Sequence, residues 1–238
     1  MKNISIVLPC YNESRNLPKI FKKFYEIIGN RNDIEIVFVD NGSTDNTEIV
    51  LENLLNQCEF ARSIKVDFNK GYGYGILKGL EECNGNFIGW THADLQTNPN
   101  DFLKFFEIFE IFKNEKNLFI KGNRVNRNLK DAFFSNGMSL FETILFQVPM
   151  WEINAQPTMF SRKLLDSFLD PPHDFSLDLY AYYLAIKKKY KIIRFNVKFG
   201  QRIHGKSKWN LDWTSKFKFI KRTLLYSLRL KYNLRNIN

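Results

Sequence analysis

The stretch Phe-Ile-Gly-Trp-Thr-His-Ala-Asp-Leu-Gln, residues 87–96, decides the fold class of this chain. Its first half, residues 87–91, is a short apolar run of the kind that forms a buried strand. A histidine, a carboxylate and an amide follow directly, and Pro99 then turns the chain into a helical pattern. Open α/β sheets bind ligands at the carboxyl ends of their strands. The stretch therefore predicts a site in which Asp94 and Gln96 offer oxygen ligands to a divalent cation.

The same pattern of apolar runs and helical spacings extends to both sides of this stretch. Four more apolar runs predict strands, at residues 4–8, 35–39, 64–68 and 118–121. Beyond residue 127 the pattern weakens, and it predicts helices near 134–146 and 177–189 and a strand near 192–199. Alternation of strands and helices is typical of a largely parallel sheet covered by helices. We therefore expect an α/β fold with a mostly parallel central sheet.

A polar loop follows each of the first four predicted strands. The loop residues are Pro9, Tyr11, Asn12 and Glu13, then residues 40–45, then Asn69, Lys70 and Gly71, and finally His92, Asp94 and Gln96. In a doubly wound sheet these loops would gather along one edge. The ring of Tyr11 can stack on a base, and Asp40 can accept hydrogen bonds from a base or a ribose. A cation bound beside them would neutralise a diphosphate and let it depart as a leaving group.

Charge divides the chain of 238 residues into two unequal parts. The whole chain carries a net charge of +10, and residues 206–238, with nine basic side chains and one acidic one, carry +8 of it. We expect a domain at residues 1–205 and a basic tail at residues 206–238. A tail of this kind favours an anionic partner surface.

The tail also has a helical apolar period. Apolar side chains recur every three or four residues, at Trp209, Trp213, Phe217, Ile220, Leu224 and Leu228. Basic residues flank this stripe, so the tail predicts a C-terminal basic amphipathic helix that lies on an anionic membrane surface. The alternative is a helix that packs on the domain and leaves its charges in water.

Three motifs in this order resemble those of inverting family 2 glycosyltransferases with the GT-A fold. The motifs are Pro-x-Tyr-Asn-Glu at residues 9–13, Asp-Asn-Gly-Ser-Thr-Asp at residues 40–45 and His-Ala-Asp-Leu-Gln at residues 92–96. The chain is most similar to the polyprenol-phosphate glycosyltransferases, such as dolichol-phosphate mannose synthase. The resemblance runs from residue 4 to about residue 208, and Asp94-Leu95-Gln96 and the later Arg202, Gly205, Ser207 and Lys208 are its more specific parts.

The resemblance implies a role for each matched residue. The nucleotide sugar would be bound by Pro9, Tyr11, Glu13, Asp40, Lys70 and Asp94. The metal, Mn²⁺ or Mg²⁺, would be held by Asp94, Gln96 and His92. The phosphates of donor and acceptor would be bound by Arg124, Arg202, Ser207 and Lys208. The catalytic residues would be Asp94, Asp178 and Arg202. Basic side chains suit phosphates on physical grounds too, because guanidinium forks and ammonium groups bind them tightly.

His92 departs from the family pattern, in which most members carry aspartate. Imidazole can bind Mn²⁺, but it brings no negative charge, so Mn²⁺ is favoured over Mg²⁺. The alternative is that His92 does not bind the metal and instead donates a hydrogen bond to a residue that does.

The expected reaction is an in-line attack on the anomeric carbon of a UDP- or GDP-linked sugar, with inversion. A polyprenyl phosphate acceptor is already ionised and needs little base, whereas the hydroxyl of a saccharide or lipid-linked saccharide, the alternative acceptor, needs one. Asp178 would be that base or would position the acceptor. It could equally be an exposed helix residue, because surface carboxylates on helices are common.

Other protein classes fit the sequence less well. A dinucleotide-binding dehydrogenase needs Gly-x-Gly-x-x-Gly after its first strand, where this chain has Cys10-Tyr11-Asn12-Glu13. No motif supports a nucleic-acid partner. Three cysteines, an odd number, and a strand-like start in place of a signal peptide point to the cytoplasm. We expect a peripheral protein on the inner face of the cell membrane.

Overall fold

The computed structural model describes residues 2–29, 31–56, 58–125, 129–198, 200 and 213–233, with only the backbone described at 129–134 and 213–219. Its strands are β1 (Ile4–Cys10), β2 (Ile34–Asn41), β3 (Ala61–Val66), β4 (Phe87–Trp90), β5 (Leu118–Val125), β6 (Thr158–Ser161) and β7 (Lys191–Lys198). Its helices are α1 (Leu17–Ile28), α2 (Thr47–Leu55), α3 (Tyr72–Glu81), α4 (Asp101–Phe112), α5 (Leu129–Phe146), α6 (Leu177–Lys187) and α7 (Trp213–Asn233). A short 3-10 helix, Arg162–Ser167, follows β6.

The strands form one sheet in the order β3-β2-β1-β4-β6-β5-β7. Pairing is parallel between β3 and β2, β2 and β1, β1 and β4, and β5 and β7, and it is antiparallel where β6 lies between β4 and β5. The expected α/β fold with a mostly parallel central sheet is therefore confirmed.

Helices cover both faces of the sheet because the inner strands are apolar on both faces. One hydrophobic core lies under α3, α5, α6 and α7, and its members include Ile76, Leu80, Phe146, Leu184 and Leu230. The other core lies under α1, α2 and α4, and its members include Leu17, Phe24, Leu51, Phe102 and Phe105. Burial on this scale holds the sheet rigid, so that its carboxyl edge can position a site.

Three strands differ from the sequence prediction. Strand β5 was predicted at residues 118–121 but continues to Val125. Strand β6 was not predicted, because a strand of four residues shows too little alternation to be recognised. Strand β3 was predicted at residues 64–68 but runs from Ala61 to Val66. Its apolar period is interrupted by polar residues, and the pairing with β2 rather than the apolar run determines where the strand begins and ends.

Helix α7 packs against α5. Ser227 and Leu230 are buried, and the Ser227 hydroxyl donates a hydrogen bond of 2.5 Å to Glu142 Oε1 on α5. Leu228, which the predicted apolar stripe includes, is exposed. Trp209 and the side chains of Trp213 and Phe217 lie outside the described residues. Among the described helices, none is both long and apolar enough to cross a bilayer.

Candidate active site

The carboxyl ends of β1, β2 and β4 lie side by side. Cys10, the last residue of β1, pairs with Asp40 on β2, and on the other side Val7 pairs with Trp90 on β4. The pairing extends past β4, where the Thr91 amide donates to the Val7 carbonyl at 3.0 Å. The sheet thus brings together the loops that carry Tyr11, Asp40 and Asp94, as the sequence predicted.

Side-chain hydrogen bonds join the loop after β1 to the loop after β2. The Asn12 amide donates to Ser43 Oγ at 3.0 Å, and the Thr44 amide donates to Asn12 Oδ1 at 2.8 Å. The Glu13 amide donates to Thr47 Oγ1 at 2.9 Å. These bonds use the backbone of both loops, so the motifs at residues 9–13 and 40–45 fold as one unit.

Asp45 stabilises this unit as an acceptor for both loops. Its Oδ2 accepts from Ser14 Oγ at 2.6 Å, and its Oδ1 accepts from Thr47 Oγ1 at 2.5 Å. Burial alone would raise the pKa of Asp45, but the hydrogen bonds from Ser14 and Thr47 outweigh that effect and lower it. The carboxylate therefore stays ionised and holds the loops at neutral pH.

The residues predicted to bind the nucleotide lie along this edge. Pro9 and Tyr11 are half-buried at the end of β1, and Asp40 is buried with its Oδ1 accepting from the Ser43 amide at 3.0 Å. Lys70 is exposed at the start of α3, with its Nζ 5.1 Å from the centre of the Tyr74 ring. These residues therefore lie along one edge of the sheet, from the ends of β1 and β2 to the start of α3.

The loop that opens α3 packs directly on the segment before α6. Gly71 has a φ of +120°, and a Cβ there would lie 2.3 Å from the His173 carbonyl oxygen. The Tyr74 amide donates to the same carbonyl at 3.1 Å, and Asn41 Nδ2 donates to the Gly71 carbonyl at 2.9 Å. Only glycine fits this close approach in that backbone conformation. The contact brings the start of α6, and with it Asp178, to the site.

The turn Asp94-Leu95-Gln96 has a strained backbone. Leu95 has a φ of +60°, which is uncommon for a residue with a branched side chain. Asp94 is 3% exposed, and its Oδ1 accepts from the Gln96 amide at 3.1 Å. Strain of this kind persists at functional sites, where the surrounding structure holds it in place.

Gln96 also connects this turn to the chain after β7. The Gly200 amide donates to the Gln96 carbonyl at 2.7 Å, and Gln96 Nε2 donates to the Gly200 carbonyl at 3.4 Å. Arg202 follows Gly200 by two residues in the sequence. Arg202, Ser207 and Lys208 themselves lie outside the described residues.

His92 lies between the predicted metal turn and α6. Its ring centre is 5.8 Å from that of Tyr72, and its proximity opposes the rise that burial causes in the pKa of Asp178. These contacts agree with either predicted role, metal ligand or hydrogen-bond donor, and both stay predictions.

Asp178 is not an exposed helix residue; that alternative was wrong. It is 2% exposed in the first turn of α6, and three donors surround one of its oxygens. Gln156 Nε2 donates to Asp178 Oδ1 at 2.8 Å and Trp90 Nε1 donates to it at 3.3 Å. Lys121 Nζ lies 3.8 Å from the same atom. The second oxygen, Oδ2, receives none of these three contacts.

Lys121 is the most unexpected member of this group. It is fully buried in the middle of β5, and its Nζ donates to the Ala155 carbonyl at 2.9 Å and to Thr158 Oγ1 at 2.8 Å. Burial lowers the pKa of Lys121 and raises that of Asp178, and the attraction between the two charges opposes both shifts. Each group therefore depends on the other to stay ionised.

Arg124 has a partner that the sequence did not reveal. Its Nε lies 2.5 Å from Glu152 Oε2, and both side chains are largely buried. A phosphate that reached Arg124 would share it with this carboxylate. The predicted phosphate contact stays a prediction.

The donor atoms at the turn fit a hard divalent cation. Asp94 provides a carboxylate and Gln96 an amide oxygen, the ligand types that Mg²⁺ and Mn²⁺ prefer. Among the described residues, no three His, Cys, Asp or Glu side chains gather into a group that could hold a metal by themselves. A cation here would need further ligands from a diphosphate or water.

Sequence reasoning missed four residues around Asp178: Tyr72, Trp90, Lys121 and Gln156. One of them left a signal, because a lone lysine within the apolar run Leu-Phe-Ile-Lys at 118–121 must have a buried partner. Gln156 left none, since it precedes a strand too short to be recognised.

Comparison with known proteins agrees with this geometry. The family model for glycosyl transferase family 2 matches residues 5–163 of the chain. Undecaprenyl-phosphate 4-deoxy-4-formamido-L-arabinose transferase of Pseudomonas syringae pv. syringae (strain B728a) is 31% identical over 115 residues. That match covers 46% of this chain and 33% of the relative, so the chain corresponds to about a third of that relative's length.

Solved structures share the fold at low sequence identity. Glucosyl-3-phosphoglycerate synthase from Mycobacterium tuberculosis, in complex with Mn²⁺, UDP-glucose and phosphoglyceric acid, superposes with a TM-score of 0.71 at 19% identity. The alignment covers 95% of this chain and 79% of that one. The same enzyme with Mn²⁺, UDP and phosphoglyceric acid gives a TM-score of 0.72 at 17% identity, over 97% and 78% of the two chains. These likenesses confirm the GT-A fold.

Proposed function

The chain belongs to glycosyl transferase family 2, and from this we propose that it transfers a sugar from a UDP- or GDP-linked donor to a polyprenyl phosphate. That it is a glycosyltransferase follows from the family. The donor, the metal and the lipid acceptor are the proposal. The relative of P. syringae, named for undecaprenyl phosphate, supports the choice of acceptor.

One observation carries the proposal: Gln96 is hydrogen-bonded to Gly200 through both its backbone and its side chain. Gln96 belongs to the turn suited to a donor diphosphate, and Gly200 begins the segment with Arg202, Ser207 and Lys208. In this proposal the basic side chains of that segment would bind the same diphosphate and the acceptor phosphate. A site with two adjacent phosphate groups is what a phosphate acceptor requires.

In the proposed reaction an acceptor phosphate oxygen forms a bond to the anomeric carbon as the bond from that carbon to the diphosphate oxygen breaks. Tyr11 and Asp40 hold the nucleoside, and Asp94 and Gln96 face the diphosphate. Arg202 and Lys208 balance the charge of the two phosphates during the transfer. The acceptor is already an anion, so Asp178 positions a substrate group and no proton needs to be removed.

A divalent cation bound by Asp94 and Gln96, with His92 near it, would neutralise the leaving diphosphate. We infer Mn²⁺ in preference to Mg²⁺ because imidazole suits Mn²⁺ better. The Mn²⁺ complexes of M. tuberculosis glucosyl-3-phosphoglycerate synthase support a divalent cation in this fold.

The first experiment measures nucleoside diphosphate release from a panel of UDP- and GDP-sugars with Mn²⁺ or Mg²⁺. Each donor is tested alone, with undecaprenyl phosphate, and with undecaprenol as the matched lipid that lacks the phosphate. We expect release only with undecaprenyl phosphate and one class of donor.

Other outcomes point to the alternative acceptor, a saccharide or lipid-linked saccharide hydroxyl. Equal release with undecaprenol would contradict a phosphate nucleophile. Release at the same rate without lipid and with either lipid would mean slow hydrolysis of the donor. In that case a hydroxyl acceptor with Asp178 as base becomes the better hypothesis.

We also propose that α7 lies on an anionic membrane surface, which would place the enzyme at the inner face of the cell membrane. Its outward face carries Leu225, Leu228 and Tyr232, which are 57%, 52% and 74% exposed and are spaced three and four residues apart. Lys221 and Arg229 are exposed beside them. This face combines apolar and basic groups as interfacial helices do.

The position of α7 relative to the site supports this proposal. Arg222 on α7 lies 3.0 Å from Asp174 Oδ2, in the segment that Gly71 contacts and that leads into α6. A membrane under α7 would therefore lie close to Asp178 and to any lipid-linked acceptor.

Charge reversal at Arg229 tests the membrane surface. Arg229→Glu changes the charge by two, and at about 1 kcal/mol for each charge its binding to vesicles with phosphatidylglycerol should fall roughly 30-fold. The measurement is sedimentation with vesicles with and without the anionic lipid. The control is Lys19→Glu at an exposed position of α1 on the other face of the sheet. An equal loss in both variants, or none in Arg229→Glu, would contradict the assignment.

A further inference from the structure

The contacts of Asp178 are concentrated on one of its two oxygens. Gln156 Nε2, Trp90 Nε1 and Lys121 Nζ approach Oδ1 at 2.8, 3.3 and 3.8 Å. Rotation of the carboxyl group would break all three contacts at once. The orientation of the carboxylate is therefore held by residues of β4, β5 and the segment before β6.

Lys121 is itself immobilised. Its ammonium donates to the Ala155 carbonyl and to Thr158 Oγ1, and in the sheet it pairs with Thr158 on one side and Arg194 on the other. A buried charge in this position lowers the stability of the fold unless it is paired. A protein with well-packed apolar side chains in place of a buried ion pair is often as stable or more stable. Packing alone thus gives no reason for a lysine here, whereas an ionised Asp178 does.

Gln156 extends the network toward the rest of the site. Its Nε2 also donates to the Tyr72 hydroxyl at 3.1 Å, and the Tyr72 ring lies 5.8 Å from that of His92. On its other side Tyr72 stacks on Phe175, with ring centres 4.6 Å apart. Through Tyr72 the carboxylate of Asp178 is connected to the segment that carries Asp94.

We propose that Lys121 and Gln156 are positioning residues for Asp178. They hold its Oδ1 and leave Oδ2 to receive a hydroxyl of the donor sugar. The inference rests on the proposed function, because it assumes that Asp178 touches a substrate. None of the described hydrogen bonds of Lys121 and Gln156 involves the loops at residues 9–13 and 40–45, so binding of the nucleoside diphosphate alone should not depend on them.

A double-mutant cycle tests this role. Lys121→Met, Asp178→Asn and the double variant are compared in steady-state nucleoside diphosphate release. Lys121→Met should lower kcat by about 100-fold, the effect of a misplaced reacting group, and leave the Kd for the free nucleoside diphosphate unchanged. In the double variant kcat should equal that of Asp178→Asn alone, because Lys121 acts only through Asp178.

Thermal unfolding is the second readout of the cycle. Lys121→Met leaves a buried carboxylate without its counter-charge and should lower the unfolding midpoint by about 10 °C. The double variant removes both charges and should recover most of that loss. Lys113→Met, which removes a lysine from an exposed ion pair with Glu110 at the C-terminal end of α4, is the matched control and should change neither readout.

Multiplicative losses of kcat in the double variant would overturn the proposal, and so would a loss in Lys121→Met when Asp178→Asn is fully active. If Lys121→Met does not fold, Gln156→Leu replaces it, because that change removes a donor without isolating a charge. Failure of the proposed function is a separate result, recognised by wild-type protein that releases no diphosphate in response to undecaprenyl phosphate. The unfolding cycle tests the Lys121–Asp178 pairing even then.

Discussion

Asp94→Asn is expected to lower lipid-dependent release of nucleoside diphosphate by about a thousandfold. The substituted amide keeps the size of the side chain and an oxygen that can accept the Gln96 amide, so the turn can fold as before. What the variant loses is the negative charge that would hold a cation against the diphosphate. The change therefore separates the chemistry of the carboxylate from its structural role.

Two measurements check this result. Release is followed at saturating donor over a range of Mn²⁺ concentrations, and binding of the donor nucleotide is measured by calorimetry with and without Mn²⁺. We expect Mn²⁺ to strengthen nucleotide binding in the wild-type protein and to have little effect in Asp94→Asn.

The control for Asp94→Asn is Asp33→Asn. Asp33 pairs with Arg31 just before β2, at the opposite edge of the sheet. It should behave as wild type in both assays. Undiminished Mn²⁺-dependent release by Asp94→Asn would show that the cation, if one is used, binds elsewhere.

Glu142 is expected to make the docking of α7 dependent on pH. The side chain is fully buried between α5 and α7, and burial raises its pKa from 4.5 to about 7, against the effect of the Ser227 hydrogen bond. The folded state thus binds the proton more tightly than the unfolded state does. The contribution of Glu142 to the free energy of unfolding is therefore most favourable below about pH 4.5. It decreases as the pH rises toward 7 and is constant above that.

The shift corresponds to roughly 3 kcal/mol of unfolding free energy lost between acid and neutral pH. Glu142→Gln cannot ionise, and its amide oxygen can still accept from Ser227. The variant should therefore be more stable than wild type at pH 8, by up to roughly 3 kcal/mol, and no more stable at pH 4.5. Urea unfolding at the two pH values measures the difference.

Glu107→Gln, at an exposed position of α4 on the other face of the sheet, is the control and should change stability little at either pH. Hydrogen exchange at pH 8 locates the effect, because slower exchange in Glu142→Gln should appear in α5 and α7. The prediction would be contradicted if the free energy of unfolding changed with pH by the same amount in the wild-type protein and in Glu142→Gln.

The metal turn and the nucleotide edge were open to prediction because their signals are local. An apolar run ending in Asp94 and Gln96 indicates a strand and the polar turn after it within ten residues. In a parallel sheet, strand ends that are distant in sequence meet at one edge, so three such turns define a site before any contact is known. This is why Tyr11, Asp40 and Asp94 were found together.

The surroundings of Asp178 could not be predicted in the same way. Its partners come from β4, β5 and the segment before β6. The spacing of residues within α6 gives no information about these partners. Burial decides the chemistry of this carboxylate, and burial depends on how α6 lies against the sheet. The contact face of α7 is a similar case, since the hydroxyl of Ser227 donates to Glu142 on α5, which is 85 residues away in the sequence.

The sequence by itself determined the α/β class, the loops of the nucleotide edge and the family, because these depend on the order of residues along single strands and turns. Only the tertiary structure decided that Lys121 and Asp178 form a buried pair, that Gln96 is joined to Gly200, and which face of α7 is left outward. Each of these rests on contacts between segments far apart in the chain. The free energy of such contacts depends on distance and burial, which residue order alone does not specify.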